Sequence, residues 1–140
     1  MQRLAIKNVS FIAQNFCEYE AKTACDLVWV DAPCSGSGVI RKHPEIKYRL
    51  DEQQIVSLCK KQLDLLEHAI KLTKKGGHIF YSTCSILAME NDAIIKRVLD
   101  KGLVSLGSQQ ENPFSTATET GRLYPIGVAH GGFLSKLIKL

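Results

Sequence analysis

The sequence predicts one α/β domain, on three observations. Apolar, β-branched runs bounded by polar residues mark strands. A long stretch with apolar residues three and four apart marks a helix, and strand and helix then alternate along the chain. With 140 residues, 45% hydrophobic and 23% charged, the chain has material for one hydrophobic core and not for two.

Taken in order, Val9 to Ala13 reads as a short strand after a basic opening stretch. Asp26 to Asp31 is apolar and β-branched between acidic ends, the pattern of a strand buried on both faces of a parallel sheet. From Asp51, apolar residues recur at Ile55, Leu58, Cys59, Leu63, Leu66, Ala69 and Ile70, so the spacing predicts one long amphipathic helix. Asp51 is its expected N-cap with Gln54 reaching back, and Lys74-Lys75-Gly76 its cationic last turn and glycine stop. Gly77 to Ser82 is the next strand, running into Thr83-Cys84-Ser85. Glu90 to Lys101 is a second helix with Ile94, Ile95, Val98 and Leu99 inward. Asn112 to Gly121 is polar and aperiodic, a loop between Leu103–Leu106 and Gly132–Ile138, two runs expected to form a terminal antiparallel strand pair.

A net charge of +4 suits an anionic partner such as nucleic acid, although ordinary soluble proteins carry similar excesses. No apolar stretch reaches the roughly 20 residues that span a bilayer. The first ten residues hold no apolar leader core, so a reduced cytoplasmic setting is expected for the five cysteines, Cys17, Cys25, Cys34, Cys59 and Cys84. They form no C-x-x-C pair, and with His43, His68, His78 and His130 scattered no metal is expected.

Two cysteines stand apart. D-A-P-C-S-G-S-G at Asp31–Gly38 and S-T-C-S at Ser82–Ser85 each follow directly on a predicted strand, and open α/β sheets collect ligands at the carboxyl ends of their strands. Cys34 and Cys84 are therefore candidates for chemistry, with inert packing the competing reading; Cys17, Cys25 and Cys59 are assigned to packing. Cys84 leads toward a helix, where free backbone N–H groups favour an anion. Cys34 sits in a turn whose glycines let a substrate approach the backbone, and Asp31 can hydrogen-bond a planar heterocycle.

The run D-A-P-C-S-G-S-G-V-I-R-K-H-P-E-I-K-Y from Asp31 to Tyr48, Y-S-T-C-S at Tyr81–Ser85 and E-N-D at Glu90–Asp92 resemble the RNA cytosine-C5 methyltransferases of the Sun/Fmu and Nol/Nop group. The block after the cysteine loop is most similar to the bacterial enzymes acting on 16S ribosomal RNA. R-L-Y-P at Arg122–Pro125 and H-G-G-F-L at His130–Leu134 are similar to that family's last motif, so the resemblance covers nearly the whole chain. It implies a truncated Rossmann-like class I methyltransferase fold: a mostly parallel sheet with a C-terminal antiparallel strand pair, and the first two strands missing. Residues 1–140 would then be the C-terminal portion of a single catalytic domain that uses S-adenosylmethionine.

The resemblance also implies roles. Cys84 would add to C6 of cytosine, C5 would take the methyl group of S-adenosylmethionine, and Cys34 would help remove the C5 proton and free the RNA. Asp31 would hold the cytosine edge and, with Pro33, border the cofactor. The basic stretch Arg41, Lys42, His43, Lys47 and Arg49 would meet RNA phosphates and Tyr48 would stack on a base, against the competing reading of a solvated surface. The family's glycine-rich cofactor loop and following acidic residue have no counterpart here, and Gly131 stands where the family usually has an aspartate. An exposed hydrophobic edge is therefore expected unless another polypeptide covers it, and a separate polypeptide supplying the N-terminal half is the expected partner beside RNA. The competing functions are a non-catalytic, RNA-binding remnant and a thiol-based redox module.

Overall fold

In the computed structural model, which describes residues 8–108, 116–124 and 131–140, a short 3₁₀ turn (Phe16–Glu18) precedes β1 (Cys25–Asp31), and two more (Ser37–Val39 and Pro44–Tyr48) lead to α1 (Glu52–Leu72). β2 (Thr73–Thr83), α2 (Asp92–Asp100), β3 (Val104–Leu106), β4 (Thr116–Ala117), β5 (Arg122–Tyr124) and β6 (Gly132–Lys139) follow.

α1 begins as its sequence demands. The Asp51 carboxylate caps the first turn by accepting from the Gln53 N–H at 3.1 Å, while the expected Gln54 contact is not the one made. The helix stops at Leu72, before the lysines and glycine expected to end it. Thr73 is already extended, and both its backbone N–H and its hydroxyl close on the Ala69 carbonyl, the hydroxyl at 2.8 Å. Lys74-Lys75-Gly76 instead form an irregularity within β2, where the register shifts between the Cys25–Thr73 and Leu27–His78 pairs and Gly76 takes a φ of 75°. α2 likewise starts at Asp92, because Glu90 and Asn91 belong to the turn before it.

β1 and β2 pair in parallel across the α1 crossover. β6 is inserted antiparallel beside β2, and β3 and β5 pair antiparallel with different parts of its other edge. The α/β class and the terminal β3–β6 pair match expectation, but among the described residues the pairing is mostly antiparallel: β1–β2 is parallel and four other pairs are antiparallel. The reason is connectivity. β1, β2 and β3 run the same way, joined through helices, yet β6 separates β2 from β3 and reverses both contacts.

One face of the sheet makes the core. Val28 and Val30 of β1, Ile79 and Tyr81 of β2, and Phe133 and Leu137 of β6 pack under Leu66, Ala69 and Ile70 of α1 and Ile94, Ile95 and Val98 of α2. The opposite face of β1 is bare, with Leu27 48% and Trp29 58% exposed, and Trp29 stacks on Phe80 at 5.2 Å. The two-sided burial expected of Asp26–Asp31 therefore fails, since a continuous apolar run satisfies one covered face as well as two. Val9–Ala13 forms no strand, and Val9, Phe11 and Ile12 are exposed. β1 is an edge among the described residues, so the expected exposed hydrophobic edge is present. No helix among the described residues is long and apolar enough to cross a membrane.

This one-sidedness is measurable. Ile79→Ala is expected to lower the unfolding free energy by about 2–4 kcal/mol, the usual loss for a buried aliphatic side chain. Leu27→Ser, on the bare face, is expected to change it by less than about 0.5 kcal/mol. Urea melts of the two variants check both values.

Candidate active site

Because β1 and β2 are parallel neighbours, their carboxyl ends lie side by side, with Asp31 opposite Ser82. Beyond that pair the two chains stay bonded to each other. The Ala32 N–H donates to the Ser82 carbonyl at 2.8 Å, and the Gly38 N–H to the Cys84 carbonyl at 2.9 Å. Gly131 closes the third side, its N–H donating to the Gly38 carbonyl at 2.9 Å. Gly38 has no room for a side chain: a β-carbon there would collide with the Gly131 carbonyl and sit 2.8 Å from that of Cys84.

These bonds bring the two candidate thiols together. Cys34 Sγ and Cys84 Sγ are 2.9 Å apart, close enough to share a proton, and the Cys84 N–H also donates to Cys34 Sγ at 3.2 Å. Cys34 is half-buried and Cys84 exposed. Burial pushes the Cys34 thiol up to about 12, and its hydrogen bond with Cys84 adds to the rise. Cys34 thus holds its proton at neutral pH.

A buried polar network fixes the two loops from behind. The Glu90 carboxylate, fully buried, accepts from the Ser35 N–H at 2.8 Å, the Ser35 hydroxyl at 2.6 Å and Gln62 Nε2 at 3.0 Å. Gln62 Nε2 also donates to the Pro33 carbonyl at 2.9 Å, tying α1 to the residue before Cys34. On the Cys84 side, the Ser37 and Ser85 hydroxyls lie 3.0 Å apart, and the Ser37 hydroxyl accepts from the Ile86 N–H at 3.1 Å. Asn91 Nδ2 donates to the Ser85 carbonyl at 3.0 Å, and Thr83 donates to Asn91 Oδ1 at 2.7 Å. The Tyr81 hydroxyl, kept protonated by burial and then by the Glu90 charge, donates to the Glu90 carbonyl at 2.6 Å.

The other expected site residues divide. Asp31 is exposed at the end of β1; its Oδ1 accepts from the Ser82 hydroxyl at 3.0 Å, which in turn accepts from Trp29 Nε1 at 2.9 Å. Pro33 is exposed beside it. Arg41, Lys42, Lys47 and Tyr48 lie exposed on and between the 3₁₀ turns that follow the Cys34 loop, Tyr48 at 92%. None of them lines the cavity of about 250 Å³ that opens beside Cys34. Arg49, the last cation of the basic stretch, does line it, with Ser35, Ile46, Leu50, Asp51 and Ile55. Pro125 and His130, part of the last motif, lie outside the described residues.

Sequence reading missed Gln62 altogether, and it took Glu90 only as part of a motif. The signal for Gln62 was present: it falls three residues after Cys59 and four before Leu66, a polar side chain on the stripe that must face the core. For Glu90 no local pattern signals burial.

The chain that carries these two cysteine blocks has counterparts among known proteins. The family model described as 16S rRNA methyltransferase RsmB/F matches residues 1–138. The chain belongs to the RsmB/F family. It is 41% identical over 90 residues to ribosomal RNA small subunit methyltransferase B of Serratia proteamaculans, covering 61% of this chain and 21% of that protein. It is 37% identical over 122 residues to the protein of the same name from Citrobacter koseri, covering 81% of this chain and 26% of that one. A crystal structure of NSun6 from Pyrococcus horikoshii with SFG superposes over 99% of this chain and 36% of its own, with a TM-score of 0.85 and 27% identity. The Rossmann-like methyltransferase fold is thus the fold of this RsmB/F chain, which spans about a quarter of the length of the curated relatives it matches.

In this RsmB/F chain, Glu90→Ala would strand the Ser35 and Gln62 donors in a buried site, and an unmet buried donor costs about 1–3 kcal/mol. A loss of about 2–4 kcal/mol is expected in urea unfolding, far more than a surface alanine causes. Cys34 supplies a pH signature. Its folded pKa is raised, so its contribution to stability is complete below its ordinary value of 9.0 and is lost as pH climbs toward about 12. Wild type should therefore lose stability across that window relative to Cys34→Ala, as chemical denaturation at stepped alkaline pH would read.

Proposed function

We propose that the chain is the C-terminal portion of a single catalytic domain that methylates C5 of a cytosine in small-subunit ribosomal RNA, with S-adenosylmethionine as methyl donor. The observation that carries this reading is the pair of thiols 2.9 Å apart at the ends of two parallel strands, one exposed and one half-buried. Cytosine C5 is a poor nucleophile while the ring is aromatic. Addition of the exposed Cys84 sulfur to C6 turns C5 into an enamine-like carbon that can accept a methyl group. A proton must then leave C5 so that the C6–S bond can break and restore the ring; Cys34 is the base for that proton.

The setting of Cys34 supports an order for these steps. Before attack, Cys34 is held protonated by its burial and by Cys84 beside it. Once the Cys84 sulfur is bonded to carbon it carries no charge, so the part of the rise owed to Cys84 falls away. Cys34 can then release its own proton to solvent and, as the thiolate, take the C5 proton; beforehand it keeps that proton and does not compete with Cys84 for the cytosine.

S-adenosylmethionine, when bound, supplies the methyl group. The residues present fit one side of such a ligand: Asp31 is exposed and, among the described residues, bonded through Oδ1, leaving Oδ2 to accept from an amine of the cofactor or the cytosine edge, with Pro33 exposed beside it. The target base must leave its stack to enter the site. Arg41, Lys42 and Lys47 meet phosphates from exposed turns, and Tyr48, almost fully solvated, offers a ring for a base. A second polypeptide belongs to the proposal as well, since the bare face of β1 with Leu27 and Trp29 and its unpaired edge favour a covering segment. A cytoplasmic setting completes it, where thiols stay reduced and ribosomal RNA is at hand.

Trapping tests the roles. Supplied with a polypeptide that completes the cofactor site, S-adenosylmethionine and ribosomal RNA, Cys34→Ala is expected to accumulate a covalent protein–RNA adduct that survives denaturing electrophoresis, and Cys84→Ala to form none. An adduct on Cys84→Ala would exclude Cys84 as nucleophile, and wild-type protein that neither methylates nor traps RNA would exclude the reaction.

A further inference from the structure

We propose that Cys34 and Cys84 are also a modification site: low-molecular-weight disulfides of the glutathione class oxidise the pair to a reversible intramolecular disulfide. The bond itself needs only the geometry; its consequence, an enzyme switched off, rests on the function proposed above.

Three features favour the bond. The sulfurs already lie 2.9 Å apart, so closure to the roughly 2.05 Å of a disulfide moves them by less than about 1 Å. The loops that carry them are bonded to each other by Gly38 with Cys84 and by Ser37 with Ser85, which holds the sulfurs face to face. The exposed member, Cys84, is open to a soluble reagent, while its partner waits half-buried behind it. None of the other three cysteines has a sulfur partner among the described residues: Cys59 is buried and donates to the Met89 carbonyl, Cys25 is half-buried and Cys17 exposed.

The exchange balances. The Cys84 thiolate attacks one sulfur of oxidised glutathione, the glutathione S–S bond breaks, and one glutathione thiolate leaves and takes up a proton. Cys34 then attacks the Cys84 sulfur, the mixed disulfide breaks, and the second glutathione leaves with the proton that Cys34 gave up. Two thiols are oxidised and one disulfide is reduced to two thiols. The second step is eased by the first, because a Cys84 already bonded to sulfur no longer adds to the rise that keeps Cys34 protonated. The product hides nucleophile and base in one bond and keeps Cys84 off the irreversible part of the oxidation ladder.

The test uses the chain as it stands. After incubation with oxidised glutathione, denaturation and alkylation, the expected result is a chain lighter by two hydrogens with three alkylated cysteines, a cross-linked peptide joining Cys34 to Cys84, and full recovery of five alkylated cysteines after dithiothreitol. Cys34→Ser, with Cys34→Ala as a second variant should the serine disturb the loop, is expected to stop at a glutathione adduct on Cys84. A lasting glutathione adduct on wild-type Cys84 with Cys34 alkylated, or a cross-link involving Cys17, Cys25 or Cys59, would overturn the proposal. The readout is independent of methylation. A disulfide that forms in a protein that never traps RNA leaves this proposal standing and removes the other, and trapping without a disulfide does the reverse.

Discussion

Glu90 carries a carboxyl group at zero exposure with no cation bonded to it among the described residues, and the arrangement around the two thiols depends on how that burial is compensated. A carboxyl group taken out of water without partners is costly, so its oxygens need donors. Ser35 supplies two, one from its backbone and one from its hydroxyl, and Gln62 a third. Those donors come from the Cys34 loop and from α1, while Glu90 itself sits in the turn that opens α2. One side chain thereby fixes three separate pieces of chain to a common point. The Cys34 loop has no regular structure of its own to hold it and takes its shape from this anchor and from the cross-loop bonds to Cys84.

The second constraint is that, among the described residues, both helices lie on one side of the sheet. Both helices pack on the face of Ile79, Tyr81 and Leu137, so the apolar stripe of each is used up there. The other face keeps Trp29 stacked on Phe80, with Trp29 Nε1 bonded to Ser82 and Ser82 to Asp31. A line of contacts therefore runs from the bare apolar face to the carboxylate at the rim of the site.

How much of this was legible in the sequence follows from range. The two thiols were legible because each follows its strand directly, and parallel neighbours bring such positions together whatever lies between them. The start of α1 was legible because an N-cap is a local interaction between Asp51 and Gln53. Its end was not, since Thr73 wins by closing on Ala69 while the glycine three residues later serves a strand irregularity. Val9–Ala13 carries a strand pattern, but a strand requires a neighbour, and no residue in the segment specifies one. Gln62 and Glu90 lie 28 positions apart, and their bond to each other is visible only when α1 and the turn after β2 are folded against one another. Resemblance reached Glu90 as a letter in a motif, and packing explains why that letter is a carboxylate.

The closeness of the sulfurs joins the proposed chemistry to the proposed oxidation. A thiol that is to act as a base only after its neighbour has reacted must sit near enough to feel that neighbour's charge, and burial must suppress its ionisation until then. Both conditions hold for Cys34. The same two conditions define a resolving thiol, which waits protonated until its neighbour has been taken by an electrophile and then attacks the sulfur now within reach. The geometry does not distinguish a cytosine carbon from a disulfide sulfur as the electrophile at Cys84. What separates the two outcomes is the fate of Cys34: across a base it meets the C5 proton, and across a bare sulfur it meets Cys84 itself. On the proposed function, a site arranged for the first is open to the second whenever no base fills it, and a bound base would protect the pair.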